Sequence, residues 1–388
     1  MSARYDIIVA GLGPGGAAAA MTLARAGARV LALDGSGGRE KPCGGCLSLR
    51  GVLAVESLSP CPWLRDCPVA TLWLSGPGLP AGRYPTSEAG VYFVERPRLD
   101  RWLAQEARQS GVAVLPAKLR AIEADGHGWR ARTSAGDFEA DWLIGADGAH
   151  SLVARGLGLG GGGWLYVGLV EERPMPPRLA PLLGGTALLE LGGAPGGYGW
   201  AFGRGQTLNL GMAGRRELLG RMGGLRRCYG RFLRRLGLGE PGRLRGAVIP
   251  CPDGGVRRYY RGRAAVVGDA AGLADPFLGE GVAQAVVSGH MAARAIVAGD
   301  LGRYQRALAE TLLRDHHNAR RLSRLIYGWP RLALRAAAAR PGAIELGWRI
   351  LRGQTRPGDL WKVVPRRLVG LRHGLDHAAA SYYSLASS

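Results

Sequence analysis

The amino-acid sequence predicts a doubly wound α/β chain with an inserted antiparallel sheet and a helical C-terminal region. Three observations predict it. A strand, a glycine loop, a helix and a second strand open the chain. A further strand ending in Gly-Asp leads into a small-residue helix only after residue 264, so the first layer is completed late. Turn-divided strand patterns lie between the two, and helical patterns run on from Leu301. The chain has 388 residues, long for one hydrophobic core and suited to two packed domains. With 47% hydrophobic residues it is globular, not disordered.

Tyr5 to Ala10 (YDIIVA) is a β-branched apolar run, the pattern of a buried strand. It enters Gly11-Leu12-Gly13-Pro14-Gly15-Gly16, which satisfies GxGxxG. An Ala-rich helix follows to about Ala26, Gly27 stops it, and Arg29 to Asp34 (RVLALD) reads as the second strand. Gly11 permits the tight turn, Gly13 lets a pyrophosphate approach the backbone, and Gly16 lets the helix pack on the strands. The helix start then faces the phosphates with free N–H groups and a positive dipole end. Asp34 ends the second strand where an acid is expected to take ribose hydroxyls. The order of these parts predicts a dinucleotide site.

Two later motifs decide which dinucleotide. Ile144 to Ser151 (IGADGAHS) closes a strand-rich stretch from Val112, divided into a meander by Gly126-His127-Gly128 and Ala135-Gly136-Asp137. Ala264 to Asp269 (AAVVGD) reads as a strand, followed by AAGLADPFLGEGV and a helix through Ser288-Gly289. The set GxGPxG, GADGxxS and GDAAGxxxPxxGEG resembles the FAD-dependent hydroxylase and geranylgeranyl-reductase superfamily, over roughly Tyr5 to Ala293. The resemblance implies FAD and a glutathione-reductase-like Rossmann domain. It places Asp269 at the flavin ribityl chain, Gly281 and Val282 at the pyrimidine edge of the isoalloxazine, and Arg96, Leu119, Asp147 and Gly279 at the cofactor. A helix start near that edge would stabilise an anionic reduced flavin. Asp34 stands where relatives usually carry Glu, and Ala154 where many carry Arg, with Arg155 beside it.

Lys41 to Ser48 (KPCGGCLS) resembles the loop of geranylgeranyl reductases. The resemblance puts Cys43, Gly44 and Gly45 beside the flavin and makes Cys43 the candidate catalytic acid, or a wall of the pocket. Alkene saturation needs a hydride on one carbon and a proton on the other. The second thiol makes the loop C-x-x-C, but no second ligand pair points to zinc, so no metal is expected. Pro195 to Phe202 resembles a second marker of these reductases, with Gly203 in place of its final Pro. Tyr198, Trp200 and Phe202 alternate and share one strand face, which is expected to line an apolar substrate tunnel.

The expected division is a discontinuous FAD domain (1–159 and 251–300), a substrate β-sheet domain (160–250) and a basic helical region (301–388). Within the insertion, Gly163 to Gly168 and Thr207 to Gly211 read as strands and Arg215 to Leu236 as an Arg-rich helix. Pro330, Pro341, Pro357 and Pro365 break the C-terminal helices. The net charge is +21, and residues 301–388 hold 16 basic and 5 acidic residues, or +11. Tryptophans among these arginines suit an anionic membrane surface. The pair His316-His317 points to different helix faces and does not suit a metal.

No signal peptide pattern precedes the first strand and no apolar run is long enough to span a bilayer, so a cytoplasmic protein is expected, resting on the inner membrane face or free. The leading expectation is an FAD-dependent reductase of C=C bonds in an isoprenoid lipid, quinone or chlorophyll precursor. There is no second GxGxxG unit, so no dedicated NADPH domain is expected, and the resemblance implies electrons from transiently bound NAD(P)H, ferredoxin or another reductant. The alternatives are an FAD monooxygenase of an apolar substrate and a basic binding module that carries flavin structurally. No recognition motif supports nucleic-acid binding.

Overall fold

Apolar β-branched runs that must be buried on both faces form the first sheet. In a computed structural model, which describes residues 4–35, 37, 40–159, 163–339 and 341–362, strand Arg4–Ala10 lies at its centre. It pairs in parallel with Val30–Leu33 on one side and with Gly136–Gly145 on the other. Ala113–Leu115 extends the sheet beyond Val30–Leu33, and Ala264–Val266 pairs in parallel with the end of Gly136–Gly145. Leu119–Ala124 and Trp129–Thr133 form the expected meander with Gly136–Gly145. The late strand thus completes the parallel part of the first layer on the side of Gly136–Gly145.

Helix Pro14–Arg25 crosses helix Val282–Val297 on one face of this sheet. The contact is made by glycine. A Cβ on Gly289 would lie 2.2 Å from the Gly15 carbonyl oxygen. Gly16 is equally tight, because a Cβ there would lie 1.9 Å from the carbonyl of Gly11, whose φ is +100°.

The second sheet has seven strands, ordered Arg245–Cys251, Trp164–Pro174, Thr207–Arg215, Tyr198–Arg204, Thr186–Leu191, Thr71–Gly76 and Leu79–Pro85. Thr71–Gly76 joins by parallel pairing with Thr186–Leu191. Two strands therefore come from residues assigned on sequence to the FAD domain, and the sheet is built from two chain segments. One face, with Leu208, Leu210 and Met212, packs on Tyr229, Phe232 and Leu233 of helix Leu225–Arg235. The opposite face looks toward the first domain.

The single helix expected from Arg215 to Leu236 is instead a 3₁₀ turn, Arg216–Met222, and the helix Leu225–Arg235. Gly223 and Gly224 separate them at φ +74° and +88°, a left-handed path that ends any helix. Three of the four prolines expected to break the C-terminal region start its elements: Pro330–Ala339, Pro341–Leu351 and Pro357–Lys362. Proline lacks only an N–H that the first turn would leave unpaired. Pro365 lies outside the described residues. Helix Pro341–Leu351 is not an appendage, because Trp348 packs with Val91, Phe93, Trp200 and Phe202 in one buried cluster. No helix among the described residues is long and apolar enough to cross a membrane.

Candidate functional site

A cavity of about 1240 Å³ opens between the two sheets. This exceeds the ~300–1,000 Å³ that holds one drug-sized ligand, so it can take a dinucleotide and part of a second molecule. Every candidate residue from the sequence except Gly16 lines it: Gly11, Gly13, Pro14, Gly15, Asp34, Cys43, Gly44, Gly45, Arg96, Leu119, Asp147, Asp269, Gly279, Gly281, Val282, Tyr198, Trp200 and Phe202. Gly16 lies beneath the turn and packs against Gly11 and Ala146.

Two long helices begin at this cavity, Pro14–Arg25 after Gly13 and Val282–Val297 after Gly281. Neither has a side-chain cap, so first-turn N–H groups are left for a ligand. Among the described residues a Cβ on Gly13 would meet nothing within 4 Å, which leaves open space above the first helix start. Asp34 lies at the end of Val30–Leu33, its N–H donating to the Leu115 carbonyl at 2.8 Å. An open glycine cradle, two uncapped helix starts and a strand-end acid on one wall fit FAD. The Asp147 carboxylate is engaged inside the chain: it accepts from Ser151 Oγ at 2.5 Å and from the Leu152 N–H at 2.7 Å.

The loop Lys41–Gly45 crosses the cavity between the sheets. Lys41 forms an ion pair with Asp269. The Cys43 sulfur accepts from the Gly45 N–H at 3.3 Å and also meets the Arg96 guanidinium. Arg96 is buried, which by itself disfavours its charge, but Asp100 and Cys43 outweigh this and raise its pKa. Its guanidinium donates to Asp100 Oδ1 at 3.0 Å. A Cβ on Gly44 would lie 3.1 Å from the Trp200 indole nitrogen, so glycine lets the loop lie close against that ring.

Tyr198, Trp200 and Phe202 share one strand face, and Trp200 and Phe202 stack at 6.2 Å between centroids. Trp348 and Leu351 of the C-terminal region line the same lobe. Asn209 is fully buried in the neighbouring strand. Its amide oxygen accepts from Trp200 Nε1 at 2.9 Å, and its amide nitrogen donates to the Cys43 carbonyl at 3.2 Å and to Glu172 at 3.1 Å. This residue ties the aromatic strand to the cysteine loop.

Three tyrosines hold the segment between Asp275 and Gly281. Tyr166 donates to the carbonyl of Pro276 at 2.9 Å, Tyr327 to that of Phe277 at 2.5 Å, and Tyr198 to that of Leu278 at 2.5 Å. The hydroxyls come from two strands of the second sheet and from helix Leu312–Gly328. The Asp275 carboxylate closes the turn by accepting from the N–H groups of Phe277 and Leu278. Glu280 follows on the cavity wall and accepts from Ser48 N at 3.2 Å and Ser48 Oγ at 3.0 Å. Burial pushes its carboxyl up to about 7.

Sequence reasoning missed Glu280, Ser48, Asn209, Tyr166, Tyr327 and Trp348. Glu280 stood inside a quoted motif (GEG) and was legible as an acid beside a helix start. Ser48 closes the quoted KPCGGCLS motif, Trp348 is one of the tryptophans expected at a membrane surface, and the other three carry no local signal. Among the described residues no group of His, Cys, Asp or Glu could hold a metal ion.

Comparison with known proteins agrees with this geometry. A family model described as an FAD binding domain matches residues 81–171. The chain is 30% identical over 315 residues to geranylgeranyl diphosphate reductase of Rhodobacter capsulatus, covering 76% of this chain and 75% of that one. It is 30% identical over 350 residues to menaquinone reductase of Mycobacterium tuberculosis, covering 83% and 84%. Among solved structures, a geranylgeranyl bacteriochlorophyll reductase-like protein from Thermoplasma acidophilum superposes with a TM-score of 0.74 at 24% identity, covering 84% and 88%. With FAD as its cofactor, the chain belongs to the geranylgeranyl-reductase-like family of FAD-dependent oxidoreductases.

Proposed function

We propose that this chain saturates C=C bonds of an isoprenoid chain carried by a lipid, quinone or chlorophyll precursor. The observation that carries the reading is one continuous cavity, with a glycine cradle at one end and an aromatic lobe (Tyr198, Trp200, Phe202, Trp348) at the other. Relatives at 30% identity named for geranylgeranyl diphosphate and menaquinone reduction support it.

Bound FAD supplies the hydride. Gly11, Gly13, Pro14, Gly15 and the helix start hold its pyrophosphate, and Asp34 takes ribose hydroxyls. Asp269 takes the ribityl chain once Lys41 yields it, and Gly281 and Val282 face the pyrimidine edge. Gly279, Leu119, Asp147 and Arg96 complete the cradle, Arg96 with Gly44 and Gly45 fixing the loop of Cys43. Cys43 lies at the reacting face, as the acid or as its wall. The aromatic lobe excludes water and aligns an unactivated alkene. NAD(P)H or ferredoxin returns the electrons, and the basic C-terminal region rests on an anionic membrane surface at the cytoplasmic face.

The test is anaerobic. The protein is reduced chemically, geranylgeranyl lipids and menaquinone are added, and mass spectrometry looks for products heavier by two hydrogens, formed as the flavin reoxidises. A flavin that stays reduced until oxygen is admitted, and then yields a hydroxylated product, would replace this reading with a monooxygenase.

A further inference from the structure

The reduction needs a proton as well as a hydride, and the cavity wall holds a carboxyl placed to give one. Glu280 lies between the start of helix Val282–Val297, where the flavin edge is proposed, and Leu278, whose carbonyl is held by Tyr198 of the aromatic lobe. Its two oxygens differ. Oε1 accepts both bonds from Ser48. Oε2 has no hydrogen-bond partner among the described residues and is not sealed from the cavity that Glu280 lines. Ser48 is held in turn, because its Oγ accepts from the Gly51 N–H at 3.1 Å as the cap of helix Leu49–Glu56. A carboxyl with one oxygen anchored and the other turned to a cavity is oriented for proton transfer.

The surroundings allow that proton to stay. The charged and titratable groups facing Glu280 are Asp275 of its own segment, Arg50 of helix Leu49–Glu56, Cys46 of the adjoining strand and Tyr198 of the second sheet. Burial is the dominant influence, Asp275 adds to it, and the Ser48 bonds and Arg50 oppose it. The result is a carboxyl titrating at about 7, where an acid that must be protonated and re-protonated in each cycle works best. The Cys43 sulfur is differently placed, since the Gly45 N–H and the Arg96 guanidinium both point donors at it.

We propose that Glu280 is the proton donor of the reduction and that Cys43 is the wall of the reacting face. The proposal rests on the alkene-reductase reading and assigns the acid within it. The alkene π pair forms a new C–H bond with the Glu280 proton as the O–H bond breaks, and the other carbon takes the hydride that reduced FAD supplies. The alkene is reduced, the cofactor is oxidised, and water returns a proton to the carboxylate.

Three proteins test it: wild type, Glu280→Gln and Cys43→Ala. Infrared titration of the apoproteins is expected to show a protonated carboxyl that persists to about pH 7 in wild type and is missing from Glu280→Gln. Anaerobic single turnover is expected to slow about 100- to 10,000-fold in Glu280→Gln, with FAD binding unchanged by absorbance titration. Cys43→Ala is expected to keep the wild-type fall in rate as pH rises through about 7. If Glu280→Gln fails to bind FAD, Ser48→Ala removes one bond that favours the carboxylate and is expected to move the pH break upward; an unmoved break overturns the proposal. It is also overturned if Glu280→Gln turns over at the wild-type rate with the same pH profile, or keeps the infrared signal. A wild type that reduces no isoprenoid alkene sinks the alkene reading, while the infrared titration still reports whether Glu280 holds a proton.

Discussion

Replacing Gly289 by Ala should loosen the cofactor cradle from beneath. The added methyl would lie 2.2 Å from the Gly15 carbonyl oxygen and 3.0 Å from its carbon, both backbone atoms that cannot swing away. Ordinary contact requires the helices Pro14–Arg25 and Val282–Val297 to part by about 1 Å, and because the clash is with backbone the strain lies in the upper part of the overpacking range, about 2–3 kcal/mol. Alanine regains about 1 kcal/mol of helix propensity over glycine, which leaves a net loss of about 1–2 kcal/mol. Gly15 is in the first turn of its helix, so the parting reaches both helix starts. If the same energy is expressed in binding, FAD affinity falls about 5- to 30-fold. The assay is a urea midpoint on the apoprotein with an FAD titration beside it. Gly13→Ala is the control: among the described residues its Cβ meets nothing within 4 Å and Gly13 has φ −71°, so stability should hold while FAD binding weakens. A Gly289→Ala protein as stable and as tight for FAD as wild type would refute the reasoning.

Three further outcomes are expected. His316 is 3% exposed, neither ring nitrogen has a partner among the described residues, and burial pushes it down to about 4. As pH falls from about 6.5 to about 4 the unfolded chain takes up this proton first, so stability drops across that window by up to about 3 kcal/mol. His316→Leu should flatten that part of the pH dependence in denaturant titrations. Asn209→Leu leaves the Trp200 N–H and the Cys43 carbonyl unpaired, at about 1–3 kcal/mol for a buried group so orphaned. A lowered urea midpoint is the expected result, and an unchanged one would show that the loop finds other partners. Tyr327→Phe keeps its ring stacking on Phe277 but loses the hydroxyl, so it should cost about 1 kcal/mol and weaken FAD binding by titration.

What the sequence disclosed is what short spacing can encode. Strand, GxGxxG, helix and Asp34 lie within 30 residues, and the alternation of Tyr198, Trp200 and Phe202 is a local period, so their shared face followed from residue order alone. What it concealed lies in distant pairings. Nothing in Thr71–Pro85 says that it will join Thr186–Leu191, more than 100 residues later. Asn209 reads as an ordinary polar residue in an alternating strand until Cys43, 166 positions earlier, is folded against it. The helix expected over Arg215–Leu236 divides for a local reason, because the adjacent Gly223 and Gly224 take left-handed backbone that no arginine pattern around them can offset.

The three tyrosine hydroxyls that meet on Pro276, Phe277 and Leu278 have a consequence for how the molecule comes apart. Sheet, helix Leu312–Gly328 and cofactor segment share these bonds, so none can open alone without leaving a carbonyl stranded. Backbone amides of the segment should therefore exchange with solvent only when the whole chain opens, and their exchange should report global unfolding. A protein cut before helix Leu312–Gly328 would lose the Tyr327 bond, and the Phe277 carbonyl would open more readily than those of Pro276 and Leu278, which Tyr166 and Tyr198 would still tie to the sheet.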